Sequence, residues 1–410
     1  MRPLYTAAIR LYAAAVHAAA PFNGKARKMI DGRRSIDDVL REKIVPGERY
    51  VWLHAASLGE FEQGRPLLEA IRQRHPDYKI VLTFFSPSGY DVRRDYPGAD
   101  VVCYLPFDFP RRIRAFLDRV RPTLSLFVKY EFWLNTLDEL RRRRVPTYLV
   151  SGIFRPGQLF FRSIGRPYRD ALRCFDHLFV QDETSRQLLA GIGLTNVTVT
   201  GDTRFDRVID IRHAARPLPV VAAFAERDAR PVLIAGSSWP EDEALLIPYF
   251  NAHPDLKLIL APHEIHEAHL AAIEARLTRP ALRLSRADAD TVAGVDCLIV
   301  DSFGLLSSIY RYARIAYIGG GFGHGIHNAP EAAVYAVPVL FGPNHRKFRE
   351  ALDLIACGGA FSITDASTLS ARLDALLADP DACTAAGESA GAYIQQHSGA
   401  TEQILRAIDL

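Results

Sequence analysis

Short runs of apolar residues alternate along the chain with longer segments in which apolar positions recur at helical spacing. The first run, 50–57, ends in small residues and precedes a predicted helix at 61–75. Runs of this kind, separated by helices, are typical of parallel sheets covered by helices on both faces. Further strands are predicted in the first half at 79–85, 101–105, 124–128, 147–150, 177–180 and 197–199.

A second alternation of strands and helices begins near residue 231. Its strands are predicted at 232–235, 256–261, 297–300, 315–318 and 337–341. A chain of 410 residues is too long for one compact core, which favours two domains. The predicted organisation has a membrane-associating helix and basic segment at 1–34, a first α/β domain at 35–210, a linker at 211–230 and a second α/β domain at 231–410, whose last helix could pack back on the first domain. Polar residues follow most of the strands, so we expect a site in the crevice between the domains.

The N-terminal segment Leu4–Ala20 is almost entirely apolar. Thr6, Arg10 and His17 would form a narrow polar stripe on a helix, and basic residues follow at 25–34. A helix lying on or shallowly in an anionic membrane surface is the preferred interpretation. A helix packed against its own domain is the alternative.

The overall composition excludes few classes of function. The net charge of +3 does not demand a nucleic-acid partner, and the five cysteines are scattered without the spacing of a metal site. An odd, scattered set of cysteines is typical of reduced thiols in a cytosolic setting.

A glycine-rich stretch, 318–344, has the sequence IGGGFGHGIHNAPEAAVYAVPVLFGPN. It predicts a strand, a glycine turn, a helix start and a second strand. Glycine allows a ligand to approach the backbone, and helix N-termini favour phosphate or carboxylate groups. There is no GxGxxG register and no Walker A lysine, so neither nicotinamide nor ATP chemistry is favoured.

The stretch 54–60, HAASLGE, places Ser57 at a strand end and Glu60 at a helix start. A carboxylate in that position could act as a general base toward a substrate hydroxyl. The same spacing also suits a capping box, in which Ser57 and Glu60 satisfy backbone N–H groups. The residues alone leave both interpretations open.

Three further positions combine charge with hydrogen-bonding capacity. Glu131, in the segment KYEFW at 129–133, lies among aromatic residues as in many carbohydrate sites, although ordinary helix starts have the same composition. Glu331 could hold a pair of sugar hydroxyls through its two oxygens. His263 could donate to a phosphate, although a lone histidine is often structural.

Taken together, these motifs resemble the Kdo (3-deoxy-D-manno-octulosonic acid) transferases of lipopolysaccharide biosynthesis over nearly the whole chain. The resemblance rests on HAASLGE at 54–60, TFFSPSGY from 83, KYEFW at 129–133, GDTRFD at 201–206, APHE at 261–264 and the stretch 319–344. It implies the GT-B architecture, in which two Rossmann-like domains face each other across a cleft, here with an N-terminal membrane-associated helix. It also implies transfer of Kdo, with inversion, from CMP-Kdo to a lipid A precursor at the cytoplasmic face of the inner membrane.

The resemblance further implies roles for individual residues. Glu60 would be the general base and Glu131 a supporting residue, while Ser57, Arg155 and Arg204 would lie on the acceptor or phosphate side. Neither a cofactor nor a metal is expected. The implied donor site comprises Ser237, Pro262, His263, Gly321, Phe322, His327, Asn328 and Glu331.

The chain departs from the family pattern at several places. Lys129 stands where many members have a second glutamate, Arg204 stands where lysine is common, and Leu305 follows Gly304 where many members have glutamate. Two other classes of function therefore remain as alternatives: another nucleotide-sugar transferase or epimerase on the same fold, and a non-catalytic lipid- or nucleotide-binding protein. The sequence does not fix the number of Kdo units added, the exact acceptor or the oligomeric state.

Overall fold

The computed structural model describes residues 2–323, 325–408 and 410, so His324 of the glycine-rich stretch lies outside the described residues. The chain divides into two compact units. The first unit contains residues 1–207 together with 398–410, and the second contains residues 208–397.

The first unit is built on a seven-stranded sheet in which all neighbouring strands are parallel. The strand order is β3-β2-β1-β4-β5-β6-β7, so the chain reverses its direction of travel between β3 and β4. Ligands of such open sheets bind outside the carboxyl ends of the strands near this reversal. The strands are β1 (Arg49–Ala55), β2 (Tyr78–Phe84), β3 (Val101–Tyr104), β4 (Pro122–Val128), β5 (Thr147–Gly152), β6 (His177–Val180) and β7 (Val197–Val199).

Helices cover both faces of this sheet, and two apolar clusters form its core. Trp52 and Phe127 belong to one cluster, whereas Leu53 and Leu126 belong to the other, because alternate side chains of a strand point to opposite faces. The helices that begin in this unit are α1 (Arg2–Ala19), α2 (Gly24–Arg34), α3 (Ile36–Lys43), α4 (Leu58–Arg74), α5 (Pro87–Arg93), α6 (Pro110–Val120), α7 (Leu134–Arg143), α8 (Arg166–Leu172), α9 (Glu183–Ala190) and α10 (Arg204–Ala214).

The second unit has a seven-stranded parallel sheet of its own, with the order β10-β11-β9-β8-β12-β13-β14. The predicted strands are confirmed in both units to within a few residues. The strands β10 and β14, at the two edges of this sheet, were not predicted. The strands are β8 (Val232–Ser238), β9 (Lys257–Pro262), β10 (Ala281–Arg283), β11 (Cys297–Ile299), β12 (Ile315–Ile318), β13 (Val339–Phe341) and β14 (Ala360–Ser362).

Helices also surround the second sheet. Pro240, Pro330 and Pro380 each occupy the first position of a helix, where the missing N–H has no intrahelical partner to lose. The helices are α11 (Pro219–Glu226), α12 (Pro240–Ala252), α13 (Glu267–Arg276), α14 (Leu306–Ile309), α15 (Pro330–Ala333), α16 (Arg349–Ala356), α17 (Ala366–Ala378) and α18 (Pro380–Gln396).

The segment 211–230, predicted as a linker, is largely helical, because it contains the end of α10 and all of α11. Its prolines do not prevent this, since Pro219 occupies the first turn of α11. The last helix, α19 (Ala400–Ala407), belongs to the first unit. There Ile404 is fully buried among core residues of that unit.

The N-terminal helix α1 packs against the first unit along one side. The Tyr5 hydroxyl donates to Asp108 at 2.7 Å, Thr6 exchanges a hydrogen bond with Asn135, and Ala13 is buried. Thr6 therefore faces the protein rather than contributing to an exposed polar stripe. In the part of the chain that the structure describes, no helix combines the length and the apolarity needed to cross a bilayer.

Candidate functional site

Three residues with side chains adopt left-handed backbone conformations at the carboxyl ends of the sheets. They are Lys129 (φ 61°) after β4, Ser151 (φ 52°) in β5 and Ser237 (φ 53°) in β8. This region of φ is unfavourable for residues other than glycine and is enriched at functional sites. Each unit thus has backbone strain at the edge where open parallel sheets bind their ligands.

The candidate base Glu60 lies in the first turn of α4, which begins after β1. Ser57 precedes the helix, but its side chain does not cap the backbone. Instead its hydroxyl donates to the Glu60 carboxylate in a short hydrogen bond. Because Ser57 contacts the carboxylate rather than a backbone N–H, the capping-box interpretation does not describe this pair. Glu60 keeps a half-exposed carboxylate, stabilised by the positive end of the helix.

Arg155 and Tyr130 share the edge of the sheet with Glu60. Burial raises the pKa of the Tyr130 phenol; the Arg155 cation opposes this shift, whereas Glu60 and Asp182 add to it. All three charges therefore act on one phenol. The predicted acceptor-side cation Arg155 and the predicted base Glu60 lie in the same electrostatic neighbourhood, and Arg155 is exposed.

Arg204 is engaged by a buried carboxylate. Its guanidinium donates to Asp202 from Nε at 3.0 Å and from Nη2 at 2.8 Å, and Gln63 of α4 donates to the same oxygen at 2.9 Å. Burial opposes ionisation of Asp202, but Arg204 and Lys129 outweigh it and lower its pKa. Asp202 therefore holds the Arg204 guanidinium in place, and the cation remains half-exposed.

A buried polar network joins the ends of β1, β2 and β4. His54 Nε2 lies 3.0 Å from the Glu131 carboxylate, while its Nδ1 lies 2.9 Å from Thr83 Oγ1. The Trp133 indole donates to the same Glu131 oxygen at 2.6 Å. Glu131 is 9% exposed and is therefore committed to holding this network, not open to solvent. A supporting role of Glu131 in a reaction stays a prediction.

In the second unit, the glycine turn after β12 packs against neighbouring backbone at distances that exclude side chains. A Cβ at Gly319 would lie 2.1 Å from the carbonyl oxygen of Ser237, and a Cβ at Gly321 would lie 2.5 Å from the amide nitrogen of Gly342. The turn is thus fixed by close backbone contact on both sides. Of the predicted donor-site residues, Ser237 lies against Gly319 of this turn, and Gly321 is part of the turn itself.

Asp242 of α12 anchors the same turn and was not predicted. Its buried carboxylate accepts hydrogen bonds from the Gly320 N–H at 2.8 Å, the Tyr317 hydroxyl at 2.7 Å and the Trp239 N–H at 2.9 Å. Burial raises the pKa of Asp242, while these hydrogen bonds oppose the rise. One carboxylate therefore joins the start of α12 to the glycine turn.

Three aromatic rings meet beside this turn. The rings of Trp239 and His263 stack with centroids 4.7 Å apart, and those of His263 and His327 lie 4.5 Å apart. The Trp239 indole also donates to His327 Nε2 at 3.0 Å. Burial, followed by the neighbouring His263, lowers the pKa of His327 to about 4. His327 is therefore neutral near pH 7.

The remaining predicted donor residues flank these rings. Asn328 donates to the Glu331 carboxylate at 2.8 Å, while the buried Oδ1 of Asn328 has no hydrogen-bond partner in this structure. An amide oxygen without a partner is available to a ligand donor. Pro262 ends β9 next to His263, and Phe322 packs partly against the core. All eight predicted donor residues therefore lie at or beside the carboxyl ends of β8, β9 and β12.

A buried ion pair supports the segment that carries His263. His269 Nε2 lies 2.9 Å from Glu243, and its Nδ1 lies 2.8 Å from the carbonyl oxygen of Glu264. Both neighbours are acceptors, so both ring nitrogens donate and the imidazolium form is favoured. Burial lowers the pKa of His269, but the hydrogen bonds to Glu243 and to the Glu264 carbonyl, together with the charges of both carboxylates, outweigh it and the net shift is upward.

Trp239, Asp242 and His269 are the supporting residues that sequence reasoning missed. The one available signal was the position of Asp242 three residues after Trp239, the spacing of a carboxylate that reaches back to a helix start. Across residues 2–323, 325–408 and 410, no group of three or more His, Cys, Asp or Glu side chains is placed to hold a metal ion.

Comparison with known structures supports the fold. UDP-GlcNAc 2-epimerase from Neisseria meningitidis, solved with bound UDP-GlcNAc, aligns with a TM-score of 0.60 over 87% of this chain and 98% of its own, at 12% identity. A UDP-N-acetylglucosamine 2-epimerase from Listeria monocytogenes, described as putative, aligns with a TM-score of 0.56 over 88% and 96%, at 13% identity. At such identities the likeness shows the fold alone. The predicted fold class, two α/β domains with parallel sheets of the GT-B kind, is confirmed.

Sequence comparison is more specific. Residues 31–207 match the family model of 3-deoxy-D-manno-octulosonic-acid transferase (kdotransferase). The 3-deoxy-D-manno-octulosonic acid transferase of Haemophilus influenzae is 24% identical over 373 residues, which cover 88% of this chain and 86% of that protein. The enzyme of the same name from Bordetella pertussis is 31% identical over 378 residues, again covering 88% and 86%. The chain belongs to the family of 3-deoxy-D-manno-octulosonic acid (Kdo) transferases.

Proposed function

We propose that this protein transfers Kdo from CMP-Kdo to a hydroxyl group of a lipid A precursor. The observation that carries the proposal is the placement of Glu60: a half-exposed carboxylate, held by Ser57, at the carboxyl end of β1 in a chain of this family. A general base needs this combination of a fixed position and an accessible oxygen. Neither alternative function, an epimerase or a non-catalytic binding protein, gives a comparable explanation for the pairing of Ser57 with Glu60.

In the proposed reaction, the Glu60 carboxylate accepts the proton of the acceptor hydroxyl. The hydroxyl oxygen forms a bond to the anomeric carbon of Kdo, and the bond from that carbon to the phosphate oxygen of CMP breaks. CMP leaves with the electron pair, and attack opposite the leaving group inverts the anomeric centre. The protons, bonds and charges of this reaction balance, and no oxidant or reductant is needed.

The residues of the second unit would bind the sugar nucleotide. The rings of His263 and His327 offer N–H donors for the phosphate or the carboxylate of CMP-Kdo. Glu331 and the partnerless Asn328 Oδ1 offer acceptors for hydroxyl or amino groups. These donors could stabilise the charge on departing CMP, and we expect the reaction to proceed without metal or cofactor.

Lipid A precursors carry phosphate groups, and the first unit places cations near Glu60. Arg155 and Arg204 are accessible, and Asp202 fixes the orientation of Arg204. A guanidinium held in this way presents its positive charge in a fixed orientation, which suits recognition of an anionic group. We assign both residues to the acceptor side, with Ser57 supporting the base.

We also propose a location at the cytoplasmic face of the inner membrane, and helix α1 supports contact with a membrane surface. Tyr5, Thr6 and Ala13 face the protein, whereas Leu4 is 76% exposed and Leu11 74% exposed. An apolar face that remains exposed on a helix attached to its own domain is the arrangement of an interfacial helix. The basic residues of α2 lie directly after it and would favour anionic lipid.

Incubation of the purified protein with CMP-Kdo and a tetra-acyl lipid A precursor tests the proposal. Mass spectrometry should show the lipid gaining one or more Kdo units, and CMP release should depend on the lipid. Absence of a Kdo-lipid product, with interconversion of UDP-GlcNAc at its C2 centre, would favour the epimerase alternative. Binding of CMP-Kdo or lipid without turnover would favour the binding protein.

A further inference from the structure

Trp239 precedes α12 and contacts two predicted donor-site residues through different parts of its indole. The ring face stacks on His263, with an interplanar angle of 24°, while Nε1–H donates to His327 Nε2 at 3.0 Å. Its backbone N–H donates to Asp242, which also holds Gly320 of the glycine turn. Trp239 thus connects the glycine turn with both histidines.

The indole contact decides which nitrogen of His327 carries a proton. An indole N–H can only donate, so His327 Nε2 must accept. A neutral imidazole that accepts at Nε2 carries its proton on Nδ1. Protonating Nε2 would direct two N–H groups at each other, which disfavours the imidazolium form as well.

The fixed Nδ1–H of His327 makes no hydrogen bond to any residue that the structure describes. His327 is half-buried, and its main-chain N–H donates to the carbonyl oxygen of Gly319 at 3.1 Å. The ring is therefore anchored on two sides, while one side-chain donor remains available to a ligand. The neighbouring His263 ring, 4.5 Å away, also disfavours a positive charge at this position.

We propose that Trp239 is a positioning residue of the donor site, which holds His327 as a neutral Nδ1–H donor toward an anionic oxygen of the sugar nucleotide. This inference rests on the proposed function, since it takes the glycine turn and its histidines as the donor site. The anionic oxygen belongs either to the phosphate of CMP or to the carboxylate of Kdo. Recognition then depends on one directed hydrogen bond rather than on a cationic histidine.

Nitrogen-15 NMR of protein labelled at its histidines tests the inference before any substrate is added. The His327 signals, assigned by their absence in H327Q, should show the Nδ1–H tautomer at pH 7. In W239F, which keeps an aromatic ring but lacks the N–H, the tautomer should shift toward Nε2–H and the pKa of His327 should rise. W52F is the matched control, because Trp52 Nε1 donates to Thr83 Oγ1 in the first unit at 2.9 Å.

Ligand binding supplies the second measurement. W239F should weaken binding of CMP by about tenfold if the phosphate is the acceptor, the usual effect of losing a hydrogen bond to a charged group. If the Kdo carboxylate is the acceptor, CMP binding should be unchanged and the KM for CMP-Kdo should rise by a similar factor. W52F should alter neither quantity.

Two results would overturn the inference. One is an Nε2–H tautomer or an imidazolium for His327 in the unaltered protein at pH 7, a result that does not depend on how any variant folds. The other is a folded W239F protein with the tautomer, the CMP affinity and the KM all unchanged. If the unaltered protein binds no CMP and transfers no Kdo, the proposed function fails, and the NMR result still decides the role of Trp239 toward His327.

Discussion

The Ser57 hydroxyl donates a hydrogen bond to the Glu60 carboxylate across the first turn of α4. The contact fixes the orientation of a carboxylate that is otherwise half-exposed. Replacing Glu60 with Gln keeps the size and the hydrogen-bonding capacity of the side chain but removes the ability to accept a proton. We expect E60Q to lower kcat by about 10²–10⁴-fold, the usual contribution of a general base, with the affinity for CMP unchanged.

Glu62, on the next turn of the same helix, provides the matched control. It pairs with the partly buried Arg93 and Arg65, so E62Q removes a neighbouring carboxylate to which the proposed reaction gives no role. Kdo transfer by E62Q should stay within about twofold of the unaltered protein, because its carboxylate accepts no proton in the proposed reaction. Equal activity of E60Q and E62Q would remove Glu60 from the mechanism.

Asp242 should be a major determinant of the stability of the second unit. D242A leaves the N–H of Gly320 and the hydroxyl of Tyr317 buried without their acceptor. Each such loss destabilises by about 1–3 kcal/mol, so the free energy of unfolding should fall by about 2–6 kcal/mol in urea denaturation. E241A, at the exposed neighbouring position, should change it by less than about 0.5 kcal/mol. Equal denaturation midpoints would contradict the role assigned to Asp242.

The Glu243–His269 pair should make stability depend on pH above neutrality. The pKa of His269 is raised in the folded state despite burial, because Glu243 accepts from its ring. The stabilisation is therefore complete below about pH 6.5, the unfolded pKa, and is lost as pH rises through the folded pKa. We expect the loss of unfolding free energy caused by H269Q to be larger at pH 6 than at pH 9.

Comparing H269Q with the unaltered protein at each pH isolates the contribution of His269, because Asp242 and His327 titrate in both proteins. H213Q is the control, because His213 is exposed on α10 and is distant in sequence from the Glu243–His269 pair. A destabilisation by H269Q that is equal at pH 6 and pH 9, or larger at pH 9, would contradict the assignment of His269 as the cationic partner.

Membrane association should depend on the exposed face of α1. Replacing Leu4 and Leu11 with Glu removes two apolar side chains and adds negative charge, without touching the Tyr5 contact that attaches the helix. Binding to sedimented vesicles that contain anionic lipid should fall by at least about tenfold, since burying one leucine stabilises by about 1.5–3 kcal/mol. Phe303, 75% exposed in the second unit, is the control position. Equal losses for F303E and for the double variant would show that this face has no special role.

The strands were predictable because most are fully buried and therefore form continuous apolar runs. The strands β10 and β14 escaped notice because each has three residues, pairs on one side only and is partly exposed. The segment 211–230 was predicted only as a linker, and its helical content reflects the position of Pro219 in a first helical turn.

The site was predictable where its residues are close in sequence. Ser57 and Glu60 are three positions apart, and the pattern correctly placed them together while leaving the nature of their contact open. Trp239 and Asp242 were missed because their partners, His327 and Gly320, lie 88 and 78 positions away. Such contacts arise from the order of the strands, which a single sequence does not show.

The first unit is discontinuous in sequence, and this affects how the chain folds while it is being synthesised on the ribosome. Its final helix is attached by Asp206, which accepts from the N–H groups of Gly399 and Thr401, and by the buried side chain of Ile404. The intervening second unit, roughly 190 residues, needs about 10–40 s of synthesis at ordinary bacterial rates. During that interval the surface that receives Ile404 is solvent-exposed on the nascent chain. Holding factors that bind apolar surface, or a delay in folding of the first unit, would protect it until α19 has been synthesised.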